Sequence, residues 1–131
     1  MPHPPHCVEV IMQKDGADCC VAALASLSGK PYRQVSDAAV KVVKRVHKRG
    51  LWTSELLRIA RTIGYPLQNI RLRGQPPPED GTGLLTISRP EGSHCVLLYE
   101  GIVVNPSDGL LWSVDAYLAL GWRTVGFHPP A

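Results

Sequence analysis

At 131 residues, with 44% hydrophobic and 19% charged, the chain is long enough to bury a core and too apolar to be disordered. Its formal charge of +3 is mild and makes no case for an obligate nucleic-acid partner. Met1 to Cys7 holds no Lys or Arg and no long apolar run, so neither a secretory signal nor a membrane segment is expected there.

The four cysteines, Cys7, Cys19, Cys20 and Cys95, show no disulfide-framework spacing, and two are adjacent. That usage fits a reducing compartment, and the expected location is cytoplasmic. Pro2 to Pro5 is an extended lead-in, and Val8 to Met12 reads as a short strand or extended arm. His3, His6 and Cys7 have metal-ligand chemistry, but a structural zinc site needs about four ligands and no second pair with suitable spacing follows. No metal is expected.

From Gln13 to Ala25 a polar turn runs into an apolar helix of small residues. Asp18 is a good N-cap, which puts Cys19 in the first turn, where unpaired N–H groups and the helix dipole favour a thiolate and lower the thiol pKa. Val21 to Leu27 is apolar except for Ser26, and Gly29 supplies a left-handed cap. Such a helix is buried at the centre of the fold, with its N-terminus opening at a cleft. Taken alone, Cys19 and Cys20 also read as small core residues, which is how free cysteines usually behave.

Pro31 opens a second helix at Tyr32, with Val35, Ala39, Val42 and Val46 as its apolar stripe and Gly50 as its end. Lys41, Lys44, Arg45, Lys48 and Arg49 complement its C-terminal dipole; no aromatic residue is interleaved to stack on bases. A third helix, capped by Thr53, is lined by Leu56, Ile59, Ala60 and Ile63 and stopped by Gly64; Trp52 is expected to pack.

Strands follow. Gln68 to Leu72 is one candidate, residues 74–83 form a Pro-rich loop, and Leu84 to Ser88 is a buried strand. His94 to Tyr99 and Ile102 to Asn105 make a hairpin about Glu100-Gly101. A short helix runs from Val114 to Leu120, and Thr124 to Phe127 closes the sheet. Helices first and an antiparallel sheet second give an α+β fold, one domain over 1–131 with 1–7 as the lead-in.

A two-residue turn at Glu100-Gly101 sets Tyr99 opposite Ile102 and Val96 opposite Asn105. His94 and Asn105 then lie diagonally on one face, within hydrogen-bond reach. An Asn-held imidazole is what a cysteine nucleophile needs to lose its proton. A register slip of one residue would turn Asn105 to the other face, and Asn105 to Gly109 is also plain turn chemistry. Asp108 is the fallback orienting residue.

Gln13, Asp18-Cys19 and the following Ala-Ala-Leu resemble the papain-like peptidase family that processes bacteriocin precursors after a double-glycine leader, often as the N-terminal domain of an ABC transporter. Gly50 to Thr53, Leu84 to Ile87, His94 to Tyr99 and Asn105-Pro106 resemble further motifs of that family in the same order, from about Met12 to His128. The resemblance implies a peptidase acting on a peptide or protein without metal or cofactor. It implies Cys19 as nucleophile, His94 as base and acid, Asn105 as orienting residue, and Gln13 with the backbone N–H of Cys19 as oxyanion hole.

Three features depart from the pattern. Asn105 replaces the usual Asp, as in the arrangement papain itself resembles; Cys20 replaces a common Gly; and no transporter follows within the chain. Other functions for the same residues are a non-catalytic peptide-binding module, a thiol-redox sensor using Cys19, Cys20 and Cys95, and acyl transfer or deamidation.

Overall fold

The computed structural model describes residues 18–43 and 52–131. The lead-in, the Val8 to Met12 arm, Gln13, the His3/His6/Cys7 trio, Val46 and the basic cluster beyond Lys41 lie outside the described residues.

Helix α1 spans Cys19–Ser28, α2 Tyr32–Val42 and α3 Thr53–Thr62. Every residue of α1 from Cys20 to Leu27 is buried, as its all-round apolar composition requires. The Ser26 hydroxyl donates to the Ala22 carbonyl at 2.9 Å, so this polar group is buried without an unmet bond. Gly29, at φ 72, ends the helix by donating its N–H to the Ala25 carbonyl.

Helix α2 follows Pro31 and buries Val35, Ala38 and Ala39. It ends at Val42, with Val43 extended, so the stripe through Val46 does not belong to one continuous helix to Gly50. Two consecutive β-branched residues at 42 and 43 favour extended backbone over another turn. Helix α3 also starts differently: Trp52, not Thr53, is the cap residue, and its N–H donates to Glu55 Oε1 at 2.9 Å. That puts the indole outside the helix, where Trp52 is 68% exposed rather than packed. Leu56, Ile59, Ala60 and Ile63 are buried as the pattern predicts.

The strands are β1 (Ile70–Arg71), β2 (Gly83–Arg89), β3 (Gly92–Tyr99), β4 (Ile102–Val104), β5 (Leu111–Ser113) and β6 (Arg123–His128). They form an antiparallel sheet in the order β1-β6-β2-β3-β4-β5. The β3–β4 register pairs Tyr99 with Ile102, and Glu100 (φ 46) and Gly101 (φ 81) supply the two-residue turn. Helix α4, Val114–Leu118, is capped by the Ser113 hydroxyl, which accepts from the Ala116 N–H at 3.1 Å. It stops two residues short of Leu120. The candidate strand at Gln68 to Leu72 shrinks to the two residues of β1, and β5, only three residues long, had no periodicity to announce it.

The sheet is buried on both faces. Leu84, Cys95, Leu97 and Val104 pack into the helical core around α1, while Leu85, Ile87, Val96, Leu98, Val103 and Phe127 form a second core with Tyr117 of α4. Burial on both sides explains why β2 and β3 read as nearly continuous apolar runs. Among the described residues no helix is long and apolar enough to cross a membrane.

His128 ends β6, fully buried. Its Nδ1 donates to the Gln68 carbonyl at 3.2 Å, and its Nε2 accepts from the Thr86 hydroxyl at 3.0 Å. Burial lowers its pKa below the ordinary imidazole value, so the folded protein holds it neutral. As pH falls through about 6.5, the unfolded chain takes up this proton first and the fold loses stability. The wild type should therefore lose more melting temperature between about pH 8 and about pH 5 than His128→Gln, read by thermal denaturation. Parallel pH slopes would remove His128 as the cause.

Candidate active site

The start of α1 presents Cys19, half-buried, beside the outer end of β3, which carries His94. Asn105 follows directly on β4. The β3–β4 ladder ends where Leu97 pairs with Val104, and the next residue on the β4 side is Asn105, whose side chain reaches across to His94. His94 Nε2 donates to Asn105 Oδ1 at 3.0 Å. The same oxygen accepts from the Ser107 N–H and hydroxyl, at 3.3 and 3.0 Å. The Asn105 backbone is also pinned, its N–H to the Leu110 carbonyl and its carbonyl to the Gly109 N–H. An amide so anchored fixes the imidazole's orientation and tautomer. With Nε2 committed, Nδ1 is left for the Cys19 thiol, which lies near enough to the ring for each group to shift the other's pKa.

Asp108 has a different partner. Its Oδ1 accepts from the Leu110 N–H at 2.8 Å, closing an Asx turn, and it is Asn105 that meets His94.

The electrostatics at Cys19 differ from the expectation at a helix N-terminus. Its thiol pKa is pushed up. The adjacent Cys20 thiol is the largest influence, burial adds to it, and the His94 imidazole pulls only partly the other way. Cys20 itself is pushed up: its contact with Cys19 draws it down, but Cys95 and complete burial outweigh that. Burial alone would lower the His94 pKa, yet the hydrogen bonds to Cys19 and Asn105 raise it overall against the opposing charge of Arg89.

Asp18 does not cap α1 with its side chain. Its carboxylate accepts the Tyr32 hydroxyl instead, tying the approach to Cys19 to the start of α2. The carboxylate is fully buried, and the phenol, brought in by tertiary packing, takes the place of a local cap bond.

Sequence reasoning did not single out Trp122. Its ring stacks on His94 with centroids 5.6 Å apart and planes at 27°, and the Arg89 guanidinium lies 4.1 Å over the indole. Tyr117 stacks on the other end of this row and meets Trp112 edge-on. Trp122 lies between the turn after α4 and the start of β6, and only the fold brings it to His94. These rings, with Asn105, Ser107 and Asp108, line a cavity of about 440 Å³ beside the imidazole.

Two solved structures share this architecture. One is a double glycine motif protease from an AMS/PCAT transporter in complex with the leader peptide, at 19% identity and a TM-score of 0.65, covering 95% of this chain and 92% of that one. The other is the peptidase domain of Streptococcus ComA, a bifunctional ABC transporter involved in a quorum-sensing pathway, at 14% identity and a TM-score of 0.66, covering 95% and 99%. The chain has the fold of these peptidase domains. No family model and no curated protein matches the sequence. This peptidase-domain fold spans nearly the whole chain, as the sequence resemblance implied. Within it, Cys19, His94 and Asn105 come together from three separate elements.

Proposed function

We propose that the chain is a cysteine peptidase in which Cys19 is the nucleophile, His94 the general base and acid, and Asn105 the orienting residue. The supporting observation is the His94 imidazole hydrogen-bonded to the Asn105 amide at 3.0 Å, with the Cys19 thiol at the start of α1 beside it. Cys19 sulfur attacks the scissile carbonyl carbon while its proton passes to His94 Nδ1, and a C–S bond forms. The oxyanion is met by the Cys19 backbone N–H and, by the family resemblance, by Gln13, which lies outside the described residues. Collapse breaks the C–N bond, and the departing amine takes the proton from His94. The resulting thioester is hydrolysed by a water that gives its proton to the same nitrogen, releasing a carboxylic acid and the thiol. No step calls for a metal or cofactor.

The substrate we assign is a peptide with small residues before the cleaved bond, as in double-glycine leaders; the leader-peptide complex of the PCAT-type neighbour supports this. The three described cysteines are free thiols, which suits a reducing compartment, and we place the enzyme in the cytoplasm.

Site-resolved alkylation with iodoacetamide across a pH series tests the reading. Cys19 should label faster than Cys20 and Cys95, with a rate that depends on His94. Because Cys20 is the largest cause of the raised Cys19 pKa, Cys20→Ala should move the Cys19 labelling profile to lower pH. A Cys19 profile indifferent to both His94→Ala and Cys20→Ala would count against an activated pair.

A further inference from the structure

A second cavity, of about 540 Å³, opens beside the start of α3 and includes neither Cys19, His94 nor Asn105 in its lining. Arg71, Arg73 and Arg123 line it together with Thr53, Ser54 and Asn69, and no Asp or Glu does. Among the described residues, none of the three arginines forms a salt bridge with a carboxylate. Three like charges around one concavity repel one another, an arrangement that a bound anion would relieve.

Arg73 occupies the left-handed region at φ 52, a conformation that costs an L-residue about 1 kcal/mol and that Gly or Asn would adopt more easily. The Arg123 guanidinium lies against Gly74, where an added Cβ would stand 3.5 Å from Cζ. Gly126 leaves room for the His128 ring: a Cβ there would come 2.8 Å from Cε1 and 3.0 Å from Thr86 Oγ1. Thr53 and Ser54, the first two residues of α3, line the cavity with the arginines.

Guanidinium forks match phosphate oxygens in pairs, and three of them call for more than one negative charge. The volume suits a small molecule, while the lining contains no Phe, Tyr or Trp on which a nucleobase could stack. We propose that this cavity binds a small ligand carrying two or more phosphate charges through Arg71, Arg73 and Arg123. The site is independent of the peptidase chemistry and stands or falls apart from it.

Isothermal titration of the full chain with inorganic pyrophosphate at low ionic strength tests the proposal, with orthophosphate, sulfate, ADP and a glutamate-rich peptide as parallel titrants. Saturable 1:1 binding of pyrophosphate is expected, weakened about tenfold or more in Arg123→Gln and in Arg73→Gly. Arg73→Gly also relieves the positive φ, so its melting temperature should equal or exceed that of the wild type, separating loss of ligand from loss of fold. Lys41→Gln, outside the cavity, should bind as the wild type does. Tighter binding of ADP than pyrophosphate would make the ligand a phosphate ester, and the reverse order an inorganic polyphosphate; either supports the site. Absence of saturation, affinity unchanged by the arginine substitutions, sulfate binding as tight as pyrophosphate, or preference for the acidic peptide would each overturn it.

Discussion

His94→Ala should lower hydrolysis of a double-glycine leader peptide roughly 10³-fold, the scale on which a positioned acid-base group acts. The effect should be this large because the Cys19 thiol pKa is raised, so little thiolate exists at neutral pH without a base to take its proton. The rate should rise with pH as His94 loses its own proton. Since the His94 pKa is raised overall, the acid limb should lie above the ordinary imidazole value of about 6.5. Asn105→Ala removes one of the bonds that raise it, so that variant should show a limb at lower pH together with a lower kcat. If His94→Ala cleaved within a few-fold of wild type, or the Asn105→Ala limb moved upward, the assigned roles would fail.

Gly101→Ala should cost about 2 kcal/mol or more, measured by urea denaturation. A Cβ at Gly101 would stand 1.9 Å from the Glu79 carbonyl oxygen, and the residue has φ 81, where an L side chain is strained. The contact is with backbone on a loop that the hairpin also binds: the Gly101 N–H donates to the Gly81 carbonyl at 3.1 Å and the Glu100 N–H to Thr82 Oγ1 at 3.0 Å. Relief therefore requires the turn to move, and β4 leads directly from it to Asn105. The variant should lose peptidase activity beyond what its unfolded fraction accounts for. A change under about 0.5 kcal/mol would show that the loop yields freely.

The architecture was legible where local signals agreed. The small-residue run ending at Gly29 gave α1, and the Glu100-Gly101 turn set the register that puts Asn105 beside His94. What was hidden depended on tertiary placement. Trp122 carries no motif, and its stacking on His94 exists only because α4 turns the chain back. The Asp18 carboxylate was expected at a helix cap because the local sequence allows it, but Tyr32, fourteen positions away, takes it. A lowered thiol pKa follows from the helix N-terminus considered locally, whereas the adjacent Cys20 thiol and burial decide the direction at Cys19. The length of α2 was overread because Val46 happened to continue a spacing that Val43, in extended backbone, interrupts.

The burial of α1 on every side also limits how this protein can vary. Ala22, Ala23 and Ala25 are almost wholly enclosed, so the helix has no free edge along which to rotate or slide. Each residue advances an α-helix by about 100°, and a single insertion or deletion between Cys19 and Ser28 would turn the thiol away from the imidazole or drive the apolar face out of phase with the sheet. The number of residues in this helix is thus as constrained as the identity of its first one. Length changes among relatives should accumulate in exposed connections instead.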